Sequence, residues 1–411
     1  MAAKKNIIII AGIILLCIVA YLWRSQLFSF GSAEIQYGTY PEAGELAGKN
    51  LSFKDLSNFF TALAEKKGGR YAFEVLKRAP APPNTDLHLL GHVVGDELYK
   101  QEGIKGIEIC TNDFRNACSH SIVVGIFSEK GDSALGEIAD TCRRAPGGSG
   151  AYTMCFHGLG HGILSAVGYD MEKTVALCQK TGTEQYNNRE YIECVGGAVM
   201  EIVGGGGHDR ELWEKQRALY LRAEKPLDLC RAAFMPRDVQ SWCFVYITPF
   251  FWEAVGGDIG NPTDEVFTKA FRWCDKIPLT EMDSRGMCFS GFGKEFVGLA
   301  LSRDIRADAV QYITDEQLQW VYERCLLAKN KEGAAACVTH AMQSLFWGGE
   351  NNRSVALRYC GVIPASDDYN RGSCYADLTN AVFFYIKDKS YHQAFCEELP
   401  EKFRNECENR I

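Results

Sequence analysis

CFHGLGHG, Cys155 to Gly162, is the stretch from which the rest of the chain can be read. A cysteine opens it, His157 and His161 follow four residues apart, and three glycines fill the gaps. The same opening recurs along the chain. Cys118 begins CSHSIVVG, Cys194 begins CVGGAVME and Cys288 begins CFSGFGKE, while Cys243, Cys337 and Cys374 begin CFVYITPF, CVTHAMQS and CYADLTNA. Upstream, HLLGHVVG (His88 to Gly95) repeats the His-x-x-Gly-His spacing without a leading cysteine. One unit is therefore reused about eight times with a period near forty residues, the period of two-helix repeats.

The cysteines give each unit its outline. They fall into eight consecutive pairs: Cys110 and Cys118, Cys142 and Cys155, Cys178 and Cys194, Cys230 and Cys243, Cys274 and Cys288, Cys325 and Cys337, Cys360 and Cys374, Cys396 and Cys407. Ahead of the first member lies an amphipathic, charged segment such as TDEQLQWVYERC (Thr314 to Cys325), where Thr314 and Gln317 have the spacing of a capping box. In NPTDEVFTKAFRWC, Asn261 is the expected cap and Pro262 the first helical residue. From the second cysteine a nearly uncharged, glycine-rich helix of about fourteen residues is expected, often ending at glycine (Gly168, Gly204, Gly256, Gly348).

Glycine within a helix costs about 1 kcal/mol relative to alanine. Its repeated use points to backbones in close approach, so the glycine-rich helices form an inner row and the charged ones an outer row. A cysteine at each end of the intervening loop is placed to staple it, at about 3 kcal/mol per bridge in the loop-entropy model. Eight local disulfides are expected, with pairing between adjacent units as the alternative. The fold class is all-α, an array of α/α hairpins forming either an open solenoid or a closed toroid.

The first thirty residues read as a cytoplasmic tail and membrane anchor. Lys4 and Lys5 precede the uncharged run Ile7 to Trp23, long enough to span, and the lysines keep the tail inside. Residues 31–50 read as a flexible tether, 51–83 as short helices ending in a proline-rich break, and 84–411 as the repeat domain. Sixteen evenly placed cysteines after an anchor fit an oxidising, extracytoplasmic compartment. The balance of 44 basic against 52 acidic residues, net −8, with no basic block, excludes nucleic acid as a partner. The expected partners are the membrane, through the N-terminal helix, and a protein, peptide or glycan.

Chemistry concentrates in the first three inner helices, which carry His88, His92, His120, His157 and His161. Histidines at i and i+4 share a helix face and can reach one divalent transition metal such as zinc. His120 can join either pair. Asp96, Glu201 and Glu295 are the candidate third ligands or bases. A repeat protein also copies histidines to hold neighbouring units in register. No HExxH, CxxC or phosphate-loop motif is present. Two function classes follow: binding or scaffolding at the membrane surface, or a metal-dependent hydrolase built on the histidine cluster.

Overall fold

The computed structural model describes residues 40–82, 85–205, 210–348 and 351–411. The expected anchor and its flanks lie outside them. No helix among the described residues is long and apolar enough to cross a membrane. The fold is all-helical, 76% helix, with no strand among the described residues. All eight expected disulfides are present, each between consecutive cysteines, and every bridged cysteine is buried.

Eight helices make the inner row: α1 (Leu87–Glu102), α2 (Ala117–Lys130), α3 (Gly148–Ala166), α4 (Arg189–Gly204), α5 (Arg237–Tyr246), α6 (Met282–Ala300), α7 (Lys331–Gly348) and α8 (Asp368–Tyr385). Each packs on the next in chain order. The glycines set the spacing. A Cβ on Gly160 of α3 would lie 1.9 Å from the Cys194 carbonyl oxygen of α4, and one on Gly197 of α4 would lie 1.8 Å from the His157 carbonyl oxygen of α3. The same relation holds further on, where a Cβ on Gly293 of α6 would lie 2.1 Å from the Cys337 carbonyl oxygen. Only hydrogen fits at these places.

The charged helices lie between successive inner ones. Leu135–Cys142, Met171–Gln179, Asp264–Asp275 and Asp315–Cys325 end on or one residue beyond the first cysteine of a pair. Cys110 and Cys230 differ, following or lying within short 3₁₀ turns. The Thr314–Gln317 capping box is formed. The Asn261 cap is not: Thr263 accepts from the Val266 amide, and the helix begins at Asp264.

Three further expectations need correction. The inner helices start before the second cysteine, not on it, so α3 gains seven residues ahead of Cys155 and α4 gains Arg189 to Glu193. From α3 onward the bridge therefore grips the second turn or beyond, while in α2 Cys118 lies in the first turn. Near residue 246 the expected helix breaks into α5 and Thr248–Ala254, because Pro249 starts a helix readily and continues one badly. Within the expected tether, Pro41–Glu45 is helical and docked, with Ala43 and Leu46 buried and Glu42 accepting from the Tyr71 hydroxyl and pairing with Lys67.

Contacts also run across the array. Arg306, after α6, donates to the carbonyls of Lys77 (3.4 Å) and Ala79 (2.8 Å) beside the N-terminal helix Gly69–Arg78. Side chains from α1 to α8 line one central cavity of about 160 Å³.

Candidate functional site

Four imidazoles meet beside that cavity, and two of them, His88 and His120, line it. One ring nitrogen each from His88, His120 and His161 lie within 4.8 Å of one another. His92 joins them, its Nε2 3.2 Å from Nε2 of His88. The two i, i+4 pairs thus converge: the His88 and His161 ring centroids are 6.2 Å apart, and His120 stands between at 5.4 and 5.8 Å.

The hydrogen bonds at the far side of each ring decide which way the lone pairs point. Nδ1 of His88 lies 2.7 Å from the Phe114 carbonyl oxygen. A carbonyl can only accept, so that nitrogen carries the proton and Nε2 carries the lone pair. Nδ1 of His161 is 3.0 Å from a Glu201 carboxylate oxygen, which fixes the same tautomer. The Ser121 hydroxyl donates to the His92 carbonyl, so it accepts from His92 Nδ1 and leaves the lone pair of His92 on Nε2. With that tautomer the two Nε2 atoms face each other at 3.2 Å with a lone pair on each, an arrangement that a shared cation would relieve. His120 is fully buried and neither of its nitrogens has a hydrogen-bond partner. His161 Nε2 is likewise buried without one.

Burial favours the neutral form of His88 and His120. It pushes His88 down to about 4, with the neighbouring His161 and Arg115 adding to the shift, and it pushes His120 well below the ordinary histidine range. A neutral imidazole is the form that ligates a metal.

The Phe114 carbonyl owes its position to unusual backbone. Phe114, Arg115 and Asn116 all have positive φ, at 57°, 52° and 65°. Left-handed conformation costs about 1–2 kcal/mol per residue, less for asparagine. The Cys110–Cys118 bridge closes over this turn, Phe114 is buried against Phe73, and Asp113 takes the Thr111 hydroxyl and faces Lys77.

His157 stands apart from the four. It is buried and faces Glu193 at 3.7 Å and the Tyr246 ring at 4.8 Å. Burial takes His157 down to about 4, with Glu193 opposing. Burial alone would raise the Glu193 carboxyl, but Arg189 (2.9 Å) and His157 hold it below the usual range. Tyr246 donates to Glu193 at 3.2 Å, and its own proton is held tightly by burial and that carboxylate. Further round the wall, Lys294 pairs with Glu295 at 2.8 Å, and Trp242, Trp347, His340 and Tyr385 complete the lining.

The sequence-named carboxylates therefore separate. Glu201 orients a histidine from behind and does not face the cluster's centre. Glu295 neutralises Lys294. Asp96 is outside the converging set, although it acts electrostatically on Lys100. Arg115, Arg189, Glu193, Trp242 and Tyr246 were not legible as site residues. The only cue was the pair of charges Arg189 and Glu193 just ahead of Cys194, in front of a helix otherwise short of charge. No protein-family model, curated protein or solved structure matches the chain.

Proposed function

We propose that this chain is an extracytoplasmic metal-dependent hydrolase, with a divalent transition metal such as zinc held by His88, His120 and His161, the fourth position left to water, and His92 packed beside His88. The convergence of imidazole nitrogens carries this reading: His88 and His161 have an acceptor behind the ring, and His120 is buried with both nitrogens unsatisfied. Carboxylate and carbonyl partners of this kind orient histidine ligands and raise their basicity in metal sites. A tetrahedral site with bonds of about 2.0–2.1 Å would set its nitrogens about 3.3–3.4 Å apart, so the ligand nitrogens of His88, His120 and His161, now within 4.8 Å of one another, would draw together around the ion. His88 and His120 reach the cavity wall, which leaves the ion accessible to a small ligand. His157 with Glu193 behind it is the candidate acid–base pair.

The fold reading is a hairpin array curved until its inner faces meet, closer to a closed toroid than to an open solenoid. The shared cavity and the Arg306 contacts to Lys77 and Ala79 support it. The buried bridges support an oxidising compartment outside the cytoplasm, with Ile7 to Trp23 as the anchor. Binding or scaffolding of a folded partner is less favoured, because the distinctive side chains face a small interior cavity and not an outer surface.

The test is the metal content of the purified full chain by elemental mass spectrometry, beside His88→Ala/His161→Ala. About one equivalent in the parent, absent from a folded variant, is expected, together with chelator-sensitive hydrolysis of chromogenic ester or phosphoester substrates. A metal-free parent after incubation with zinc would end the proposal.

A further inference from the structure

The charges on the cavity wall do not cancel. Arg189 is matched by Glu193 and Lys294 by Glu295, at 2.9 and 2.8 Å. Arg115 is matched by nothing: half-buried at the wall, it makes no ion pair or hydrogen bond among the described residues. Its guanidinium reaches across towards α6, where Nη2 lies 4.0 Å from the position of a Cβ on Gly298. A cation left unpaired and partly desolvated is costly unless something completes it. Burial pulls the Arg115 proton affinity down, and Glu295 opposes this from a distance without a contact.

The backbone points the same way. Arg115 is the middle of the three left-handed residues, and the turn that hands the Phe114 carbonyl to His88 also aims the Arg115 side chain into the cavity. Strain held in place by a disulfide, at a residue with no structural partner, is a mark of a functional position.

We propose that Arg115 is the recognition residue for an oxyanion, a carboxylate or phosphate group, on the ligand that occupies the cavity. The planar guanidinium fork suits such a group with two parallel hydrogen bonds. The apolar remainder of the wall, Trp242, Trp347 and Tyr385, suits a small organic body attached to it. The inference rests on the metal reading only for the placement of the anion beside an ion, since the Arg115 site stands on its own geometry.

Isothermal titration of the full chain with inorganic phosphate and, separately, with acetate, at low chloride, tests it. The parent binds at least one of the two, and which one identifies the head group. Arg115→Asn removes the fork while keeping a residue that accepts left-handed backbone, and weakens binding at least tenfold. Gly298→Glu has open space at its Cβ and brings a competing carboxylate to an intact Arg115, with the same loss expected. Arg115→Lys falls between. A parent that binds neither probe, or an Arg115→Asn protein that binds as the parent does, overturns the proposal. Metal content is read on the same samples. Metal with no Arg115-dependent anion binding sinks this inference alone; anion binding without metal sinks the metal reading alone.

Discussion

Replacing Gly160 by alanine adds one methyl group at one of the two tightest points of the α3–α4 seam. The new carbon would sit 1.9 Å from the Cys194 carbonyl oxygen. Carbon and carbonyl oxygen tolerate each other at about 3.3 Å, so the two backbones must part by about 1.4 Å. The atom in the way is backbone in the middle of a helix whose bridge to Cys178 resists the move. Overpacking of this kind costs about 1–3 kcal/mol, and the upper end applies where no side chain can give way. The helix-propensity gain of about 1 kcal/mol offsets part of it. Gly286, in the interior of α6, is the control, since nothing lies within 4 Å of its Cβ position. Gly286→Ala keeps the propensity gain alone. Urea unfolding with the disulfides intact therefore ranks the proteins Gly286→Ala, parent, Gly160→Ala, with the ends about 3 kcal/mol apart. A Gly160→Ala protein as stable as Gly286→Ala would refute the argument that glycine is there for backbone contact.

Glu201→Gln is expected to weaken metal affinity about 10–100-fold, since it loses the charge behind His161 while keeping a hydrogen-bond acceptor; competition with a zinc chelator reads this, and unchanged affinity would make Glu201 a bystander. Thiol titration of the denatured, unreduced full chain should find at most one free cysteine, Cys17, whereas two or more would mean a bridge is absent in solution. His340 is buried and pushed down to about 3, by burial first and then by Lys294, Arg189 and Arg115, with Glu193 opposing. Its folded value lies below the unfolded one of about 6.5, so the unfolded chain binds the proton first and stability falls as pH drops from about 6.5 towards 3. His340→Gln should flatten that slope by up to about 1.4 kcal/mol per pH unit, and urea midpoints at pH 7 and pH 5 that shift in parallel for both proteins would exclude the linkage. Thr314→Ala breaks the capping box and is expected to cost about 1 kcal/mol.

Much of the fold was legible because its rules are local. The cysteine pairs, the glycine density and the amphipathic segments act within about fifteen residues, and the disulfides and the ends of the charged helices near the first cysteines followed from them. The i, i+4 histidine pairs were legible for the same reason. Their convergence was not, because it depends on how sharply successive hairpins turn, and that angle is set by packing between units. Arg115 was hidden more deeply. Its seven-residue loop between Cys110 and Cys118 offered no glycine to signal positive φ, and nothing in DFRN (Asp113 to Asn116) announces a left-handed turn. Arg189 and Glu193 were hidden for a plainer reason: α4 begins ahead of its cysteine, so residues that read as loop lie on an inner helix.

Sixteen cysteines can be joined into eight bridges in about two million ways, by the counting that gives 105 for eight. The arrangement found here is the one in which every cysteine takes the next to appear along the chain. A polypeptide threaded outward from its N-terminus presents these thiols one at a time, with at most fifteen residues between partners. Each loop can close before the following pair emerges, so an oxidant acting on the arriving chain arrives at the native connectivity without later reshuffling. A nearest-neighbour pattern of this kind needs an oxidant and places little demand on disulfide reshuffling.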